Sequence, residues 1–102
     1  MIHVIATIEL HPGKRAAFLQ EFHGLVPLVH AENGCYEYGP TIDMQTSIPA
    51  QGQARENVVT VVEKWADLPA LEAHLQAPHM LDYRAKVKDY VASVKLHILQ
   101  AA

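Results

Sequence analysis

Apolar and polar residues alternate at the start of the chain and then fall into a helical period. Ile2, Val4, Ala6, Ile8 and Leu10 share one parity, the pattern of a strand with one buried face, while Ile5 stands on the other side. Pro12-Gly13 ends this run. Residues 14–32 read as a helix, with Ala17, Phe18, Phe22, Leu25, Val26 and Val29 in its apolar stripe and Pro27 placed to kink it. Asn33-Gly34 predicts the stop, since Gly34 can take positive φ. Residues 35–42 read as a tyrosine-rich strand. Residues 43–57 are mostly polar and longer than an ordinary hairpin loop, so they are expected to form an exposed connection, a lid or a reach toward a partner.

A third strand covers 58–66. Asp67 then caps a helix over 68–76, with Pro69 tolerated in its first turn. A second helical segment is expected from Pro78 to Ser93, followed by a last strand over 94–99. The order is β-α-β-β-α-β, which predicts an α+β, ferredoxin-like split β-α-β fold with a four-stranded antiparallel sheet covered on one face by helices. Ile5, Val58 and Val62 fall on the other face. Leaving them in water costs roughly 25 cal/mol per Å² of apolar area, so a homodimer through sheet faces is expected.

The 102 residues make one domain, 1–102, small enough that association is a common route to stability. Half of the residues are apolar and 19% are charged, which strengthens the expectation of a dimer. The net charge is −3 and no run of Lys or Arg exists, so nothing points to nucleic acid or an anionic membrane. One cysteine, Cys35, rules out an internal disulfide framework and fits a reducing compartment. With no leader-like start and no long apolar run, a cytoplasmic protein is expected.

The residues that stand out chemically cluster between 63 and 83. Trp65, the single tryptophan, shares parity with Val59, Val61 and Glu63. It is either a core residue under the helices or the wall of a pocket for a flat ligand, to which indole offers stacking area and an N–H donor. His74, three residues after Leu71, points toward the core or its edge. It reads either as a satisfied buried histidine or as a group that accepts or donates a proton near neutral pH. His79 and Tyr83 lie four apart on one helical face and pack together or form a second polar wall. Tyr36 and Tyr38 share a strand face by parity. Glu63 and Glu37 are strand carboxylates that must be paired, at an interface, or functional. Cys35 lacks partners for a nucleophile. The spacing of His74 and His79 matches no metal motif, and the scattered glycines form no phosphate-binding loop.

Several segments together carry a resemblance: Ile5-Ala-Thr-Ile8, the Pro12-Gly13-Lys14 turn, Glu32-Asn-Gly-Cys-Tyr-Glu-Tyr38, Glu63-Lys-Trp65 with His74 nine residues beyond the tryptophan, and Pro78-His-Met80. Over nearly its whole length the chain resembles the antibiotic biosynthesis monooxygenase (ABM) family of dimeric α+β barrels. Gly34-Cys35, Tyr38, Pro40, Asp43, the segment Leu71–Met80 and the ending Ile98-Leu-Gln100 resemble its quinol-oxidising members. The resemblance implies a cofactor-independent monooxygenase that oxidises a quinol or polyphenol, with dioxygen as co-substrate and no metal, flavin or nicotinamide.

It also implies that His74 assists substrate deprotonation, that Trp65 packs against the substrate, and that Tyr38, His79 and Tyr83, with Glu63 and Tyr36, complete the binding site. Haem-degrading members use an asparagine on the first strand where this chain has Ala6. An isomerase of a phosphorylated signal sugar, or a non-catalytic ligand-binding dimer, is the alternative. The isomerase requires a positive phosphate site that the scattered basic residues do not reveal.

Overall fold

The computed structural model describes residues 1–102. Four strands and three helices follow in the order β1 (Ile2–Leu10), α1 (Arg15–His30), β2 (Cys35–Thr41), β3 (Val58–Trp65), α2 (Leu68–Leu75), α3 (Pro78–Val87) and β4 (Val91–Leu99). The strands form one antiparallel sheet in the order β2-β3-β1-β4, the ferredoxin-like arrangement.

The α+β part of the expectation holds, but the barrel does not. β2 and β4 are free edges with no hydrogen bonds between them, so the sheet of this chain is open. Four twisted strands are too few to close on themselves; barrels with packed interiors are built from about eight.

The alternation in β1 and β3 sends Val4, Ala6, Ile8, Leu10, Val59, Val61, Glu63 and Trp65 to the helix-covered face, where all are buried. Phe18, Phe22, Leu25 and Val29 of α1 meet them from above. The opposite face is mixed. Ile5 and Val62 pair across it, but His3, Thr7, Thr60, Lys64, Lys95 and His97 surround them. Exposed apolar residues lie on the helix-side face of β4, at Val94, Leu96 and Ile98, with Leu99 exposed on the other face beside His3.

Two other expectations shift. The last helix ends at Val87 and β4 begins at Val91, earlier than residues 93 and 94. A turn through Lys88-Asp89-Tyr90, with Tyr90 N–H donating to Val87 and Tyr90 C=O accepting from His11, draws the chain back to the sheet. Tyr36 and Tyr38 do not share a face. The register slips between Cys35 and Glu37, a β-bulge that leaves Tyr36 in solvent and Tyr38 buried.

The connection 43–57 is ordered by its ends. Asp43 accepts from Arg55 through backbone N–H, Nε and Nη2, at 2.8–3.0 Å. Arg15 ties the same segment to α1.

Candidate active site

The junction of β3 with α2 fixes the centre of the site. Asp67 caps α2 by accepting from Ala70 N–H at 3.0 Å, and Pro69 is accommodated in the first turn. The helix runs just far enough to place His74 in its last turn, over Trp65. The ring centroids are 4.6 Å apart, and the edge of Tyr38 approaches from 5.3 Å. Ala77 in extended backbone and Pro78 at the start of α3 then redirect the chain, so His79 begins a new helix.

The turn between α1 and β2 is pressed against the same junction. Gly34 has φ +82°, and a Cβ there would come within 2.8 Å of Ala70 Cβ, so only glycine lets the turn approach α2 so closely. Ala66 N–H donates to Gly34 C=O at 2.8 Å. This contact carries Glu32 over the ends of α2 and α3. Its Oε2 lies 2.9 Å from His74 Nδ1 and 2.7 Å from His79 Nε2. A carboxylate oxygen only accepts, so each imidazole supplies the hydrogen and its tautomer is fixed.

His74 is 2% exposed, yet its Nε2 has no hydrogen-bond partner. His74 forms part of the wall of a cavity, and its Nε2 is the ring nitrogen left free for a ligand there. That cavity has a volume of about 430 Å³ and is lined mostly by apolar side chains between the sheet, α3 and the end of α2. Phe22, Tyr38 and Tyr83 form an aromatic wall, with Phe22 stacked on Tyr38 at 5.5 Å and meeting Tyr83 edge-on at 5.7 Å. Val94 and Leu96 border it on the β4 side.

Glu63 is 5% exposed and also lines the cavity. Trp65 Nε1–H donates to its Oε1 at 2.9 Å. Burial is the main cause that raises its carboxyl to about 7; the indole bond opposes this and the charge of Glu32 adds to it. Burial lowers the proton affinity of His74, against the pull of Glu32. Burial, with the charge of Glu63 adding, holds the Tyr38 phenol far above its ordinary value; burial likewise raises Tyr83. Both tyrosines therefore stay O–H donors at neutral pH. Burial pushes the Cys35 thiol up to about 11, which removes it as a nucleophile.

Of the residues expected at the site, His74, Glu63, Tyr38 and Tyr83 meet around the cavity. Trp65 is fully buried and stands behind this wall, in contact with His74 and bonded to Glu63. His79 opens on a separate groove between α1 and α3. Tyr36 is exposed on another surface. Glu32, to which the sequence reading gave no role, ties the two histidines together across 42 and 47 residues of chain. No residue of the 43–57 connection borders the cavity. No group of three or more His, Cys, Asp or Glu side chains is arranged to hold a metal ion, and no helix is long and apolar enough to cross a membrane.

The chain as a whole is similar to known proteins. The chain is 40% identical over 102 residues to the probable quinol monooxygenase YgiN of Escherichia coli, covering 98% of this chain and 97% of that one. A Pseudomonas aeruginosa protein of known crystal structure superposes with a TM-score of 0.81 at 29% identity, over 99% of this chain and 93% of that one. A Methanosarcina mazei protein shares the fold, with a TM-score of 0.84 at 20% identity, over 99% and 92%. The model of the antibiotic biosynthesis monooxygenase family matches residues 1–86, which hold every side chain of the Glu32–His74–Glu63 site. With that span and that relative in agreement, the chain belongs to the antibiotic biosynthesis monooxygenase family.

Proposed function

We propose that this protein is a monooxygenase that oxidises a quinol or polyphenol with dioxygen, with His74 taking the phenolic proton. The observation that carries this reading is a buried His74 in the wall of a largely apolar cavity, with Nδ1 held by Glu32 and Nε2 free of any protein hydrogen bond. A volume of about 430 Å³ suits a substrate of one or two fused rings. The name of the Escherichia coli relative supports the same substrate class.

A phenolate gives up an electron far more readily than its phenol. Moving the proton to Nε2 therefore prepares the ring to react with dioxygen directly, without flavin, nicotinamide or metal. The reaction balances as quinol plus dioxygen to hydroxylated quinone plus water. Tyr38 and Tyr83 remain protonated and are suited to donate hydrogen bonds to substrate oxygens. Trp65 acts from behind, holding Glu63 and backing the imidazole. The apolar walls limit access of water to the ionised ring. Two copies of the chain associating through the sheet face opposite the helices would cover Ile5 and Val62 and leave the cavity open at Val94 and Leu96, and a homodimer is part of this reading.

A second reading rests on Arg84 and Lys88, which border the cavity and would suit a phosphorylated ligand of an isomerase. Oxygen uptake decides between them. With reduced naphthoquinols and benzoquinols, no added flavin or metal, and spontaneous oxidation subtracted, the wild type is expected to give saturable uptake. His74→Ala is expected to lose it by roughly 100-fold or more while remaining folded. Uptake equal in both proteins would sink the role of His74. No uptake with any quinol, together with binding of sugar phosphates, would favour the isomerase.

A further inference from the structure

The contact of Glu32 with His79 is not needed to orient His74, because one carboxylate bond to Nδ1 already does that. Yet Oε2 of Glu32 is shared by both rings, at 2.9 and 2.7 Å. Side-chain exposure rises along this line, from 2% at His74 to 12% at Glu32 and 24% at His79. The line begins in the cavity and ends in a groove between α1 and α3 that contains Glu21, Asp82 and Lys86. His79 Nδ1, like His74 Nε2, makes no hydrogen bond to the protein.

We propose that Glu32 couples the two imidazoles, so that a proton taken up by His74 from the cavity is matched by one released from His79 into the α1–α3 groove. One carboxylate compensates one imidazolium well and two poorly. The pair then holds one extra proton at a time, on His79 Nδ1 before the step and on His74 Nε2 after it. In that step the substrate O–H bond breaks and His74 Nε2–H forms, while His79 Nδ1–H breaks and its proton goes to water. The substrate is left as a phenolate, His74 as an imidazolium, and His79 as its neutral Nε2–H form; no electron moves. On the return, His74 gives Nε2–H to the departing oxygen and His79 takes a proton back from solvent. The direction of flow rests on the quinol reading above; the coupling does not. Neither Glu32 nor His79 touches the cavity, so both act through His74.

The groups that face these rings set the frame of the test. His74 meets Glu32 from the α1–β2 turn, His79 and Arg84 from α3, Glu63 from β3 and Tyr38 from β2. His79 meets Glu32 and, around its groove, Glu21, Asp82 and Lys86.

The experiment is an NMR titration of the histidine ring nitrogens in the free protein, for wild type, His79→Gln and Glu32→Gln. Glutamine at position 79 keeps an N–H donor for Glu32 but carries no exchangeable charge. His74 is expected to take its proton at higher pH in His79→Gln and at lower pH in Glu32→Gln. A titration of His74 that does not move in folded His79→Gln overturns the coupling. If that variant does not fold, wild type decides: coupled rings give His74 a second inflection where His79 titrates, and independent rings give one.

Turnover then tests the export. His79→Gln is expected to lose roughly tenfold in quinol-dependent oxygen uptake and to regain it with added imidazole. Unchanged turnover overturns the export role. A coupled titration in a wild type that consumes no oxygen with any quinol supports the coupling and overturns the quinol reading instead.

Discussion

The two ends of the cavity are built on one sheet face and differ in almost everything else. At the β3 end, helices seal the sheet, Trp65 is fully buried, and Glu63 and His74 are each tied by a hydrogen bond. At the β4 end the strand carries no helix over most of its length, and Val94 and Leu96 are 56% and 40% exposed. The difference separates two tasks. Groups that handle protons need fixed tautomers and a dry setting, which the covered end supplies. A ligand needs a way in, which the uncovered apolar end supplies.

The largest effect that sharpens this contrast is on stability. Phe18→Ala, which empties part of the core under α1, is expected to cost about 3–5 kcal/mol in urea unfolding. Leu96→Ser on the uncovered end is expected to change it by about 0.5 kcal/mol or less. Similar losses at both positions would mean that β4 is as integrated as the rest.

Next in size is Gly34→Ala, which forces a side chain into φ +82° and against Ala70. A loss of about 1–3 kcal/mol is expected, with a fall in oxygen uptake because Glu32 moves off the histidines. Full activity with reduced stability would detach this turn from the site.

A smaller effect lies in the pH dependence of unfolding. Glu63 has a folded value near 7, above the ordinary 4.5, so its contribution is complete below 4.5 and is lost as pH rises through 7. His74 runs the opposite way. Its folded value is lowered, so its contribution is present above 6.5 and is lost as pH falls through the folded value. Glu63→Gln is expected to flatten the loss between pH 4.5 and 7. An identical profile for wild type and variant would show that Glu63 is ionised in the folded state.

How much of this was legible in the chain depends on distance along it. The strand parity that aligned Glu63 with Trp65, and the helical step from Leu71 to His74, are local patterns, and both held. Glu32 was missed because its partners lie 42 and 47 residues away and no periodicity joins them. Its one available signal was its place two residues before Gly34 in the turn that the resemblance already quoted. The Cys35–Glu37 bulge and the early start of β4 escaped for a related reason. Both are set by pairing with a neighbouring strand, at Lys64 and at Leu10, and not by the segment's own pattern. The closed barrel came from the resemblance alone, and the free edges β2 and β4 correct it for this chain.

The most direct test of the central claim is the ionisation state of a bound phenol. Anaerobic binding of a naphthol at pH 7, followed by the absorbance of its anion, reads the proton transfer without oxidation. Wild type is expected to hold the naphtholate, and His74→Ala to bind the same compound as neutral naphthol. An equal anion fraction in both proteins, or a neutral naphthol bound to wild type, would contradict proton transfer to His74.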